Sequence, residues 1–123
     1  MYRWYNPNPI AARVGDCTVR AICKATGRSW ERVYSDLCRF GFQMADMPSA
    51  NAVWGAYLRS MRFNRYVIDP DEEHTVRSFA GSHRRGTYIL ALSGHVVCAQ
   101  NGDYFDTWDS GDEVPIYYWQ KEE

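Results

Sequence analysis

The sequence predicts an α+β fold, a helical N-terminal half packed on a C-terminal antiparallel β-meander. Two observations carry this prediction. Apolar residues recur at three- and four-residue spacing through roughly the first 60 positions, and beyond about residue 64 the pattern becomes short β-rich runs broken by turn residues. The two kinds of element are segregated rather than alternating, which argues against a doubly wound α/β sheet. The 123 residues contain no repeat, low-complexity tract or linker, so 1–123 reads as a single domain.

A first helix is expected to open at Gly15-Asp16-Cys17, with Asp16 as N-cap. Val19, Ile22 and Cys23 fall at helical spacing, flanked by Ala21 and Ala25, and Gly27 supplies a C-terminal stop. Ser29 caps a second helix that presents Trp30, Val33, Tyr34, Leu37 and Cys38 on one face and ends at Gly41. A third starts at Ser49 and runs through Val53, Ala56, Tyr57 and Leu58. Residues 65–68 form a strand stopped by Asp69-Pro70, and residues 75–80 a short helix. Then come an apolar strand at 87–92, a Ser93-Gly94 turn and a strand at 95–100. Asn101-Gly102 is a type I′ hairpin signal, 104–108 returns antiparallel, and 116–119 closes the sheet.

Bulk properties exclude several functions. The formal net charge is −1, with Arg scattered among Asp and Glu; no basic stripe is available to meet phosphates, so nucleic acid is not the expected partner. No apolar run is long enough to span a bilayer, and the polar, proline-punctuated start lacks the apolar core of a secretory signal. The expected location is therefore the cytoplasm, where Cys17, Cys23, Cys38 and Cys98 stay reduced. Their spacing fits neither a disulfide framework nor a zinc site, and nothing calls for a metal or an organic cofactor.

One thiol stands apart. Cys17 falls at the start of a predicted helix, where free N–H groups and the positive end of the macrodipole favour a thiolate. The other three cysteines lie inside apolar faces or strands. A thiol nucleophile needs a base, and the base needs an orienting group. His74 and His83 sit in polar, exposed stretches, whereas His95 opens an otherwise apolar strand directly after a turn. With Asn101-Gly102 as a two-residue turn, Gln100 faces Asp103, and His95 shares a sheet face with Asp106 and Trp108, Asp106 lying diagonal to it. A one-residue bulge would bring Asp109 into that place instead. The short turn favours Asp106. Trp108 is then either a cover for the His–Asp bond or a core residue.

The stretch Asp16-Cys17-Thr18-Val19-Arg20-Ala21-Ile22 resembles the nucleophile helix of papain-like peptidases, above all the peptidases that remove double-glycine bacteriocin leaders. The later Gly94-His95-Val96-Val97 strand, followed by a hairpin and an Asp, resembles that family's His and Asp elements in the same order. Asn6-Pro7-Asn8-Pro9 through Ser29-Trp30, and Asp46-Met47-Pro48-Ser49 onward to Trp54-Gly55, are also similar to small proteins of bacteria and their phages. The resemblance implies a papain-like fold and a thiol-dependent peptidase or isopeptidase, with Cys17, His95 and Asp106 as catalytic residues and a protein or peptide as substrate. Transglutaminase- or deamidase-type acyl transfer with the same triad is an alternative, as is a non-catalytic relative that binds a host protein. The family's Gln about six residues before the nucleophile is replaced by Ala11, which leaves Asn6 or Asn8 as substitute oxyanion donors beside the Cys17 N–H.

Overall fold

The computed structural model describes residues 1–122. It is α+β, with four α-helices and a six-stranded mixed sheet. In chain order the elements are β1 (Tyr2–Trp4), α1 (Cys17–Thr26), α2 (Trp30–Met44), α3 (Asn51–Ser60), β2 (Phe63–Val67), a 3₁₀ turn (Pro70–Glu72), α4 (Val76–Ser82), β3 (Thr87–Leu92), β4 (His95–Gln100), β5 (Asp103–Asp106) and β6 (Tyr117–Lys121).

Local chemistry sets most boundaries. Gly27 ends α1 in the left-handed region (φ 74°), its N–H bonded to the Cys23 carbonyl, a conformation that costs glycine little. The Ser29 hydroxyl accepts the Arg32 N–H and opens α2. Thr75 and Ser78 form a reciprocal capping box on α4. Helix α2 continues past Gly41, where the sequence pattern placed its end. Gly41 is instead a point of close approach, since a Cβ there would lie 2.8 Å from the carbonyl oxygen of Asp46 as the chain turns back. Helix α3 begins two residues later than expected, at Asn51.

The sheet order is β1-β5-β4-β3-β6-β2. Strands β3, β4 and β5 do form an antiparallel meander. The meander does not extend to the last strand, however: β6 crosses over to pair with β3 and with β2, and β1 adds to β5 in parallel. The crossing segment, 107–116, is held by α4. The Arg77 and Val76 N–H groups, orphan donors of its first turn, bond the carbonyls of Gly111 and Glu113, and the Ile116 N–H then bonds Ala91 to start β6 beside β3.

Alternation along β3 and β4 sends side chains to two cores, which is why both strands read as nearly continuous apolar runs. Ile89, Ala91, Val96 and Cys98 face α1, α2 and α3, meeting Val19, Ile22, Val33, Leu37, Val53 and Trp54. Leu90, Val97 and Ala99 face the other way, with Tyr104, onto Val76, Phe79 and Ala80 of α4. Helices α2 and α3 are further tied by the buried Asp36 carboxylate, which accepts from Tyr57 Oη (2.6 Å), Arg32 Nε (2.9 Å) and Arg28 Nη1 (3.3 Å). Among the described residues, no helix is long and apolar enough to cross a membrane.

Candidate active site

The hairpin register brings a carboxylate to a histidine. Asn101 and Gly102 both have positive φ (55° and 89°), as a type I′ turn requires, and Gln100 pairs with Asp103, Ala99 with Tyr104 and Cys98 with Phe105. His95 is the first residue of β4 and Asp106 the last of β5. Their side chains meet, with His95 Nε2 donating to Asp106 Oδ2 over 2.7 Å. Asp106 is wholly buried (0% exposed). It also accepts from the Ser110 hydroxyl at Oδ2 (2.7 Å), and from the Thr107 N–H (2.8 Å) and Arg20 Nη2 (2.9 Å) at Oδ1.

Helix α1 packs across β4, and its first residue, Cys17, meets His95. Burial alone would raise the Cys17 pKa. The hydrogen bond and charge of His95, the Val96 N–H and the Arg20 charge outweigh burial and hold the thiol below its ordinary value. Burial pulls the other way on His95, but its bonds to Asp106 and Cys17 raise the imidazole to about 9. Burial would likewise raise Asp106, yet His95 and Ser110 hold it below the usual carboxylate range. All three shifts favour one arrangement: thiolate, imidazolium and carboxylate in contact. By contrast, burial pushes Cys23 and Cys98 up to about 12.

The pair opens onto a cleft of about 470 Å³ walled by Cys17, Thr18, Asn51, Trp54, His95 and Tyr117. Gly15, Thr18 and Ser49 are shared with a second, more apolar groove of about 440 Å³ lined by Val14, Trp30, Tyr34 and Leu37. On the far side of His95 the Trp108 ring lies 5.1 Å away, centroid to centroid, and is 45% exposed. Trp108 is thus a partly solvated cover over the imidazole, not a core residue.

Asp109 is turned elsewhere, accepting from the Tyr104 hydroxyl and the Gly111 N–H and facing Arg77. His74 bonds Ser78, and His83 stacks on Phe79 with a 3.8 Å centroid separation; both are remote in the fold from Cys17. Asp16 holds the cap position of α1, but its side chain makes no capping bond. Its oxygens are taken by Arg20 Nη1 (2.8 Å) and the Trp30 indole N–H (2.9 Å). Asn6 and Asn8, the expected oxyanion donors, are corrected by the fold. The Asn6 amide donates to Ala12 and accepts from the Asn8 N–H, and Asn8 Oδ1 accepts from Ile10 and Ala12, so both staple the 6–12 loop and neither lines the cleft. That stapling carries Ala11 into the left-handed region (φ 56°).

Asn51 does line the cleft. Its Oδ1 accepts from the Trp54 indole N–H (3.0 Å), which can only donate, so the amide NH₂ is oriented away from Trp54. Nothing in the sequence near Cys17 marks Asn51, because it arrives from another helix. Arg20 and Ser110 were also missed. The Asp16–Arg20 spacing of four is a helical ion-pair signal, but its continuation to Asp106 is tertiary. Among the described residues, no group of histidine, cysteine and acidic side chains is clustered to hold a metal. No protein-family model, curated protein or solved structure significantly matches this chain.

Proposed function

We propose that the protein is a papain-like thiol-dependent hydrolase, a peptidase or isopeptidase acting on a protein or peptide, with Cys17 as nucleophile, His95 as general acid and base, and Asp106 as the group orienting His95. The observation that carries this reading is the imidazole held between two partners in an open cleft. Nε2 is committed to Asp106 at 2.7 Å, which leaves Nδ1 for the thiol.

In the proposed reaction the Cys17 thiolate attacks a carbonyl carbon, and the imidazolium gives its proton to the departing amine. Water, deprotonated by His95, then attacks the thioester; the C–S bond breaks, the acid product leaves and the thiolate is restored. The oxyanion would be met by the Cys17 backbone N–H at the start of α1 and by the Asn51 amide. Transfer to an amine instead of water uses the same groups and differs only in the acceptor.

The test is the pH profile of iodoacetamide alkylation, with the label located by mass spectrometry, followed by cleavage of a mixed peptide library. Alkylation is expected at Cys17 ahead of Cys23, Cys38 and Cys98, with a midpoint below the ordinary thiol value of about 8.5. Cleavage is expected to vanish in Cys17→Ala. A Cys17 that reacts no faster than the other three would overturn the proposal.

A further inference from the structure

Behind the His95–Asp106 contact lies a charged chain that the proposed reaction does not itself require. Arg20 is 5% exposed, and its guanidinium forks between two buried carboxylates, Nη1 on Asp16 Oδ1 (2.8 Å) and Nη2 on Asp106 Oδ1 (2.9 Å). Asp16 is held in turn by the Trp30 indole, so the fork is fixed from α1, α2 and β5 together. Buried ion pairs of this kind bring little net stability against an apolar replacement, so stability alone is a poor reason for their presence.

We propose that Arg20 is a positioning residue: it commits one oxygen of Asp106 to itself so that the other faces His95, and its charge favours the thiolate of Cys17. The inference rests on the Cys17–His95–Asp106 reading above. The geometry is specific to arginine, because a planar fork reaches two carboxylates at once where an ammonium is a single point of charge. The charged groups that bond His95 are Asp106 from β5 and Cys17 from α1; Arg20 and then Asp16 stand behind Asp106, and Glu113 lines the cavity on the Trp108 side of the ring. Arg20 is the one fixed cation among them. Its removal strengthens the hold on protons of both Cys17 and His95.

The experiment compares wild type, Arg20→Lys and Arg20→Gln by two readouts: the pH midpoint of Cys17 alkylation, and the titration of the His95 imidazole followed by NMR. Folding is checked by circular dichroism. Arg20→Gln is expected to move both midpoints upward by about one pH unit, roughly a tenfold slower alkylation below the midpoint, and Arg20→Lys to recover part of that shift. A folded Arg20→Gln protein with wild-type midpoints would overturn the inference and leave Arg20 a structural ion pair. Where Arg20→Gln does not fold, Arg20→Lys decides: it retains the charge but loses the fork, so an unchanged His95 titration and alkylation profile would count against positioning. A wild-type Cys17 without a lowered midpoint would sink the hydrolase reading alone, since the His95 titration still reports the Arg20–Asp106 contact.

Discussion

Asp106→Asn is the most discriminating single change at the site. The carboxylate offers Oδ1 to Arg20 and Thr107, and Oδ2 to His95 and Ser110. An amide has one acceptor, so it can serve only one of these sides. Turning its NH₂ toward the buried guanidinium would set donor against donor. The amide oxygen therefore stays with Arg20 and Thr107, and the NH₂ faces His95 Nε2. Ser110 adapts by rotating its hydroxyl, but His95 must become an acceptor at Nε2, which carries its proton over to Nδ1 and leaves no base facing the thiol. The imidazole loses its main raising partner, while the burial that lowers it remains, so its pKa falls from about 9 to its ordinary 6.5 or below. At pH 7 Cys17 is then a neutral thiol. A thiol at the ordinary pKa of about 8.5 is only about 3% ionised at that pH, and the greater intrinsic reactivity of its thiolate offsets part of the loss. Alkylation at pH 7 should fall by about tenfold or more, with a midpoint at or above the ordinary thiol value. Breaking one arm of a buried ion pair should also cost about 3 kcal/mol, read from urea unfolding. A folded Asp106→Asn protein that alkylates with the wild-type pH profile would refute the reasoning, because Asp106 would then play no part in setting the thiolate.

Two further outcomes follow from the same geometry. Trp108→Ala exposes the His95–Asp106 bond to water but removes no core packing, so stability should change by less than about 1 kcal/mol while the alkylation midpoint moves up by less than in Asp106→Asn; an unaltered midpoint would show that the ring is not an effective cover. Asp36→Asn, far from the cleft, should destabilise by about 2 kcal/mol with the alkylation midpoint unchanged, since three donors converge on its carboxylate. Burial would raise the Asp36 pKa, but Tyr57 and Arg32 hold it below its ordinary 3.8. Its contribution to stability is therefore present above that value and lost as pH falls through the lower folded one. Urea unfolding at neutral and at strongly acidic pH should accordingly give a gap between wild type and Asp36→Asn that narrows on acidification.

Much of this architecture was legible because the decisive interactions are local. The β4–β5 register is set by two turn residues, Asn101 and Gly102, and that register alone brings Asp106 rather than Asp109 to His95. The start of α1 at Cys17 follows from the cap-type residue Asp16 and the apolar periodicity after it, and its end from the Gly27 stop. What was not legible depends on chain crossings. Strand β1 is three residues long and becomes a strand only because β5 offers it an edge, so no period could announce it. The insertion of β6 beside β3 depends on bonds from α4 to the 107–116 segment, which are backbone contacts without a sequence signature. Asp16 shows the same limit at atomic scale. Its residue type and position are those of a helix cap, and the one local competitor for its carboxylate is Arg20, a single helical turn on. In the fold Arg20 and Trp30 both compete, and a charged partner plus an indole outweigh one backbone N–H. Arg20 joins the helix bearing Cys17 to the strand bearing Asp106, and the diverted Asp16 holds the other arm of that fork, so the departure from local preference falls at the site where a function-bearing constraint would be expected to override it.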